Sequence, residues 1–383
     1  MVEILWLCGP SGVGKSSVGY ALFEQLGPHA AYVDLDQLGL CHPAPADDPG
    51  NHRLKARNLG GVHAGFRAAG TRQLVISGLV DDAAGVASHV ARLPGADVTV
   101  CRLRADTDQL RARFERRGWL LNLLEESVRN GRDLDRTDFA DLVVDTSGLA
   151  VPEVVAKVRA TGWPPPAPAP LADAPPAELP AVELPAVELP AAAGGSVLFL
   201  CGPPAVGKST VGFEVYLRKI GADVPVAYVD LAQIGFCRPA PPDGTLTAHN
   251  LGRVWAGHRA AGASHLIVTG NVTDRAALAR YRAAIPAADW IVCRLRADAA
   301  TLTERVMLRG RGGGPGIMGD DLRGRPEAEL RGRAADIVRT AGTLDASALG
   351  DVAVDTDARD VAEVATLVEE AWPGGGICRR SVH

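Results

Sequence analysis

Short, almost unbroken apolar runs alternate along the chain with longer stretches of mixed polarity. In the first half the runs fall at 2–8, 30–34, 73–77, 97–103 and 141–144, and a helix-like stretch follows each. Strands with one wet face alternate in polarity, whereas strands covered on both faces of a parallel sheet read as continuous hydrophobic runs. The pattern therefore predicts an α/β fold, a doubly wound parallel sheet whose ligands sit at the carboxyl ends of the strands.

The same pattern is then written a second time. LCGPSGVGKSSVG at 7–19 returns as LCGPPAVGKSTVG at 200–212, AYVDLDQLG at 31–39 as AYVDLAQIG at 227–235, and NLGGVHAGFRAAG at 58–70 as NLGRVWAGHRAAG at 250–262. VCRLRAD occurs at both 100–106 and 292–298, and VVDT at 143–146 matches AVDT at 353–356. Order and spacing are kept, as expected of a duplicated domain. Between the copies, 163–195 is rich in Pro and Ala and repeats the unit AVELP. Proline at this density does not sustain helix or ladder, so the tract reads as a semi-rigid polyproline spacer of at most roughly 100 Å. The expected domains are 1–162 and 196–374, joined by the spacer and followed by a tail at 375–383.

Composition narrows the picture only modestly. The 383 residues are 47% hydrophobic and 22% charged, enough for two ordinary cores. A net charge of -5 does not favour nucleic acid as a partner, and no apolar run approaches a membrane span, so the expectation is a cytoplasmic protein without membrane association. Six of the seven cysteines form matching pairs across the repeat: Cys8 with Cys201, Cys41 with Cys237, Cys101 with Cys293. They read as small hydrophobes and not as disulfides or zinc ligands.

The chemistry concentrates in the repeated loop. Gly9 to Ser16 and Gly202 to Ser209 both fit G-x-x-x-x-G-K-[ST], each directly after a strand and opening a helix. Glycines let the backbone curl with its N–H groups inward, and the helix start adds about half a positive charge. A polyphosphate suits such a nest. The residues expected to hold it are Gly9, Ser11, Gly12, Val13, Gly14, Lys15, Ser16 and Ser17, and in the second copy Gly202, Ala205, Val206, Gly207, Lys208, Ser209 and Thr210. Lys15 and Lys208 would reach the outer phosphates, and the Ser16 and Ser209 hydroxyls would bind Mg²⁺. In the second loop Pro204 and Ala205 stand where the first has Ser11 and Gly12, so weaker binding is expected there.

With this loop in place, each copy resembles the small P-loop kinases, the group of shikimate, gluconate and adenylylsulfate kinases and chloramphenicol phosphotransferase. The resemblance covers both copies and implies two P-loop NTPase domains using ATP and Mg²⁺. In such kinases an acidic residue after the second strand takes the proton of the acceptor hydroxyl while a neighbour supports the metal. YVDLD places Asp34 and Asp36 there, Asp36 as base and Asp34 as metal support or base; capping of the following helix is the alternative. The second copy keeps Asp230 but has Ala232 in place of Asp36.

Two further motifs follow the resemblance. L-x-x-R-x-x-x-R-G at 110–118 and 302–310 aligns Arg113 with Arg117, and Arg305 with Arg309, on one helix face, as in a lid over ATP or as a solvated basic face. The continuation is WLLNLLEES in the first copy and a glycine-rich stretch in the second, implying different lids. The turns after Asp145–Thr146 and Asp355–Thr356 would lie beside adenine, or merely cap a helix. His52, Arg53, Lys55, Arg57 and Asn58, with His249, Asn250 and Arg253 opposite them in the repeat, suit a polar or anionic acceptor or a solvated loop.

The expected activity is transfer of the ATP γ-phosphoryl to a hydroxyl of a small molecule, with the first domain the more complete catalyst. A nucleotide-binding switch or scaffold without transfer, and a polynucleotide 5'-hydroxyl kinase, are the alternatives.

Overall fold

The computed structural model describes residues 1–118, 121–164, 194–241, 243–272, 274–314, 316 and 318–372, with the side chain of Arg117 also outside the description. Most of the expected spacer and the whole of the expected tail therefore lie outside the described residues.

Twelve strands occur along the described chain: β1 Val2–Cys8, β2 Ala30–Asp34, β3 Cys41–His42, β4 Gln73–Ser77, β5 Ala96–Arg104 and β6 Leu142–Asp145 in the first copy, then β7 Gly195–Cys201, β8 Val226–Asp230, β9 Cys237–Arg238, β10 His265–Thr269, β11 Ala288–Arg296 and β12 Val352–Asp355 in the second. The five long runs of the first copy are thus its five long strands, within one residue at each end. They hydrogen-bond in the order β6-β5-β1-β4-β2, and the second copy repeats this as β12-β11-β7-β10-β8. All of these pairings are parallel. Each sheet is doubly wound, with helices following the strands.

The reason lies in the side chains of the central strand. Ile4, Leu5, Trp6, Leu7 and Cys8 are all fully buried, as are Val197, Leu198, Phe199, Leu200 and Cys201, so both faces of each central strand are covered. Local caps repeat as well. Asp82 accepts from the Gly85 amide at 2.7 Å, and Asp274 does the same for Ala277 at 2.7 Å. Asp106 and Asp298 cap the next helix in their copies, accepting from the Gln109 and Thr301 amides. Each aspartate satisfies a first-turn N–H that the helix cannot pair internally.

The chain forms two compact units, and their membership departs from contiguous sequence boundaries. One contains Met1–Gly39, the first copy from His52 onward, and Phe236–Pro241; the other contains Leu40–Asn51, the second copy up to Gly235, and the remainder of the second copy from Asp243 onward. Accordingly the sixth strand of the first sheet is β9, antiparallel to β2, and the sixth strand of the second is β3, antiparallel to β8. Sequence spacing alone gives no sign of this, because two-residue strands fall below any periodicity.

The six described cysteines are free and buried, as small hydrophobes in a core would be. Burial pushes the Cys8, Cys101 and Cys293 thiols up to about 12, which leaves them unreactive. Among the described residues no helix is long and apolar enough to cross a membrane.

Candidate nucleotide site

In the first unit β1 ends at Cys8, and the loop that follows enters the helix Lys15–Gln25 through a left-handed Gly14 at φ 104°. Gly9 has φ 133°, and a Cβ there would lie 2.4 Å from the Leu103 carbonyl oxygen. Gly12 has φ 77°, and a Cβ there would meet the Phe114 ring at 2.7 Å. Both positions require glycine for conformation and for space. Val13 is buried beneath the loop, and Ser11 and Ser17 are half-buried and exposed beside it.

The second loop repeats the geometry, with Gly202 at φ 139° and Gly207 at φ 104°. Ala205 replaces Gly12 and still adopts φ 64°, a conformation that costs an L-residue roughly 1–2 kcal/mol. The residue matching Phe114 is Val306, a smaller side chain. Loop and neighbour thus differ as a pair.

Lys15 is buried, and its Nζ donates to the Pro10 carbonyl at 2.9 Å. Lys208 donates to Gly202 and Pro203 carbonyls at 3.0 and 2.8 Å. Burial lowers both lysines, opposed by nearby carboxylates; Lys208 is lowered to about 8. A phosphate in the loop would supply the missing counter-charge.

The loop serine and the first carboxylate meet directly. Ser16 Oγ donates to Asp34 Oδ2 at 2.6 Å, and Ser209 Oγ donates to Asp230 Oδ2 at 2.6 Å. The other oxygen of each aspartate accepts a backbone amide, Asp36 N at 3.0 Å and Ala232 N at 3.0 Å, so the expected cap is made by the same group that faces the serine. Burial, then repulsion by Asp36, raises Asp34 above the usual carboxylate range. A hydroxyl and a carboxylate at the mouth of a helix are hard oxygen donors, a set that suits Mg²⁺.

The second carboxylate behaves differently. Partial enclosure would raise Asp36, but Lys55 and then Lys15 outweigh it and hold the group below its ordinary value. Its Oδ1 accepts from Lys55 Nζ at 2.9 Å while its side chain stays 57% exposed, open to a reactant. In the second unit Ala232 and Thr247 occupy these two places, so the carboxylate and its cation are missing together. Asn58 and Asn250, both buried, donate to the Leu38 and Ile234 carbonyls at 2.8 and 2.7 Å and fix the start of this pocket. His52, half-buried, and Arg53 and Arg57, exposed, lie on the same helix as Lys55.

The helix arginines have a specific set of partners. Arg113 donates to the Val13 carbonyl at 2.9 Å, to Thr146 Oγ1 at 3.0 Å and to the Thr146 carbonyl at 2.7 Å. Arg305 does likewise with Val206 at 3.0 Å and with Thr356 at 2.9 and 3.0 Å. Each ties the phosphate loop to the turn after the fifth long strand, in place of the solvated face that spacing alone allows. Arg309 pairs with Asp320 at 2.9 Å within the glycine-rich stretch. Sequence reading missed Lys55 as partner of Asp36, and Ser127, which is buried and donates to the Ser11 carbonyl at 2.5 Å. The paired loss of Lys55 and Asp36 in the second copy was the available signal for the first; Ser127 gave none.

No protein-family model matches this chain, and no curated protein matches it. Solved structures of similar fold include the Deinococcus radiodurans tunicamycin resistance protein, 22% identical, covering 43% of this chain and 96% of that one with a TM-score of 0.34. A gluconokinase from Sinorhizobium meliloti is 19% identical over 47% of this chain and 91% of its own, TM-score 0.30. The Mycobacterium tuberculosis APS kinase, solved with AMPPNP and APS, is 17% identical over 46% and 96%, TM-score 0.31. These likenesses are distant, and the chemistry below stands on this chain's own residues.

Proposed function

We propose that the first unit is an ATP- and Mg²⁺-dependent kinase that phosphorylates a hydroxyl of a small molecule. The observation that carries this reading is Asp36: an exposed carboxylate held ionised by Lys55, beside a phosphate loop and a part-buried serine–aspartate pair. A base must lie within reach of the attacking oxygen, and Asp36, in the short helix Leu35–Leu38 just after β2, would serve as that base. The loop amides and Lys15 would hold the triphosphate, and Ser16 and Asp34 would hold Mg²⁺. The metal supplies neutralisation of charge on the phosphate oxygens. The acceptor oxygen attacks the γ-phosphorus, its proton passes to Asp36, and ADP leaves with the bridging oxygen and its electron pair. Arg113 keeps the loop in register with the turn at Thr146, beside which the base of the nucleotide would lie.

A second reading applies to the second unit. Ala232 and Thr247 remove the base and its cation while the Lys208, Ser209 and Asp230 constellation stays. This favours nucleotide binding without transfer there.

Incubation of γ-labelled ATP and Mg²⁺ with a metabolite extract tests both. Label is expected in a metabolite with the natural chain and with Lys208→Ala, with a loss of roughly 100-fold or more in Asp36→Asn. Undiminished transfer by Lys15→Ala would contradict the assignment.

A further inference from the structure

The two arms exchanged between the copies have no role in the chemistry above. In the first unit, β9 completes the open edge of β2: the His29 amide donates to the Arg238 carbonyl at 2.6 Å and the Tyr32 amide to the Phe236 carbonyl at 3.0 Å. Phe236 packs edge-on against Tyr20 with centroids 5.1 Å apart and lies 5.8 Å from Tyr32 and 6.3 Å from Phe23. The Arg238 guanidinium sits 4.5 Å from the Phe23 ring centre and donates to the Glu24 carbonyl at 2.9 Å, near the end of the phosphate-loop helix. Every one of these contacts joins second-copy residues to first-copy residues inside one compact unit.

The second unit shows the reciprocal arrangement. There β3 pairs with β8, the Tyr228 amide donates to the Leu40 carbonyl at 3.0 Å, and Leu40 packs against a core that includes Tyr216 and Tyr228. His42 reaches Asp223 at 2.9 Å. Leu40 and Phe236 are matching positions of the repeat, as are His42 and Arg238, so the exchange is symmetric. What the arms pack on is also what builds the sites. Tyr20 and Phe23 lie on the helix begun by Lys15, and Tyr32 stands two residues before Asp34, with its hydroxyl 2.8 Å from Ser77 and 3.4 Å from the Ser16 carbonyl.

We propose that each nucleotide site is completed by the arm of the other copy, so that the duplicated chain acts as one interlinked pair and not as two kinases on a string. The effect on the sites rests on the nucleotide-binding reading of the loops; the exchange of arms does not. An open edge strand is a pairing hazard that must be covered, and exchange of equivalent segments is the low-cost way in which two copies cover each other. Tethering in one chain raises the effective concentration of each arm. A consequence is reciprocity: an alteration in either arm reports at the opposite site.

The test begins with a specific protease site placed within residues 165–193 of the full chain. After complete cleavage the two fragments are expected to co-elute as a one-to-one species by size exclusion and native mass spectrometry; separation into two independent species overturns the proposal. That readout requires no nucleotide, so it stands apart from the kinase reading. The second arm uses Phe236→Asp in a Lys208→Ala background, leaving only the first loop to bind. MgATP affinity is expected to fall about tenfold or more, since a carboxylate would replace a ring packed among rings. Leu40→Asp in a Lys15→Ala background is expected to weaken the second loop in the same way. Unchanged affinity in both overturns the proposal.

Discussion

The difference between the two phosphate loops reduces to a pair of residues. Gly12 packs so closely on Phe114 that a methyl would lie 2.7 Å from the ring, and its φ of 77° is left-handed. Ala205 adopts a left-handed φ of 64° in the second loop, where Val306 stands in the place of Phe114. Gly12→Ala is therefore expected to destabilise the first unit by about 2–4 kcal/mol, from left-handed strain plus overpacking. Adding Phe114→Val should restore at least half of that, measured by denaturant unfolding of the full chain. A Gly12→Ala effect that Phe114→Val leaves untouched would show that sterics at this contact do not set the cost. The shape of the loop was legible in the sequence, because its glycines are fixed by backbone conformation and space. The compensating valine was not, since it lies about 100 positions away and no local pattern marks it.

The helices that follow the carboxylate strands show how an element carries its fold and its liabilities together. In the first copy Leu54, Leu59, Val62 and Phe66 are buried along His52–Ala68. In the second, Thr245–Ala260 buries His258 at the position matching Phe66, with neither ring nitrogen partnered among the described residues. Burial lowers this imidazole to about 3, against about 6.5 when unfolded. The sign follows: as pH falls below about 6.5 the unfolded chain gains a proton that the folded one refuses, so stability is lost down toward pH 3. His258→Phe should stabilise the second unit by about 1–3 kcal/mol at neutral pH and flatten this acid slope, read from thermal unfolding between pH 4 and 7. An unchanged slope would place the acid sensitivity elsewhere. The long strands were readable from apolar runs, but their order in the sheet was not, because many orders satisfy parallel connections. The two-residue strands β3 and β9 were not, because pairing across the repeat is a tertiary choice that leaves no periodic trace.

At the scale of the whole molecule, the two halves share one set of side-chain contacts and differ in another. Both copies retain the loop lysine, the serine–aspartate contact and the arginine that ties loop to turn, with distances that agree closely. Only the first retains the second carboxylate with its lysine. Sequence comparison of the copies exposed Ala232 at once, whereas the role of Lys55 and the exchange of arms required coordinates. The proposed chemistry requires two phosphate grips of unequal strength, one in each unit. Calorimetric titration of the intact chain with MgATP examines this most directly. Two sites per chain are predicted, the weaker lost in Lys208→Ala and the tighter in Lys15→Ala. A single site in the natural chain, or two that survive both substitutions, would contradict it.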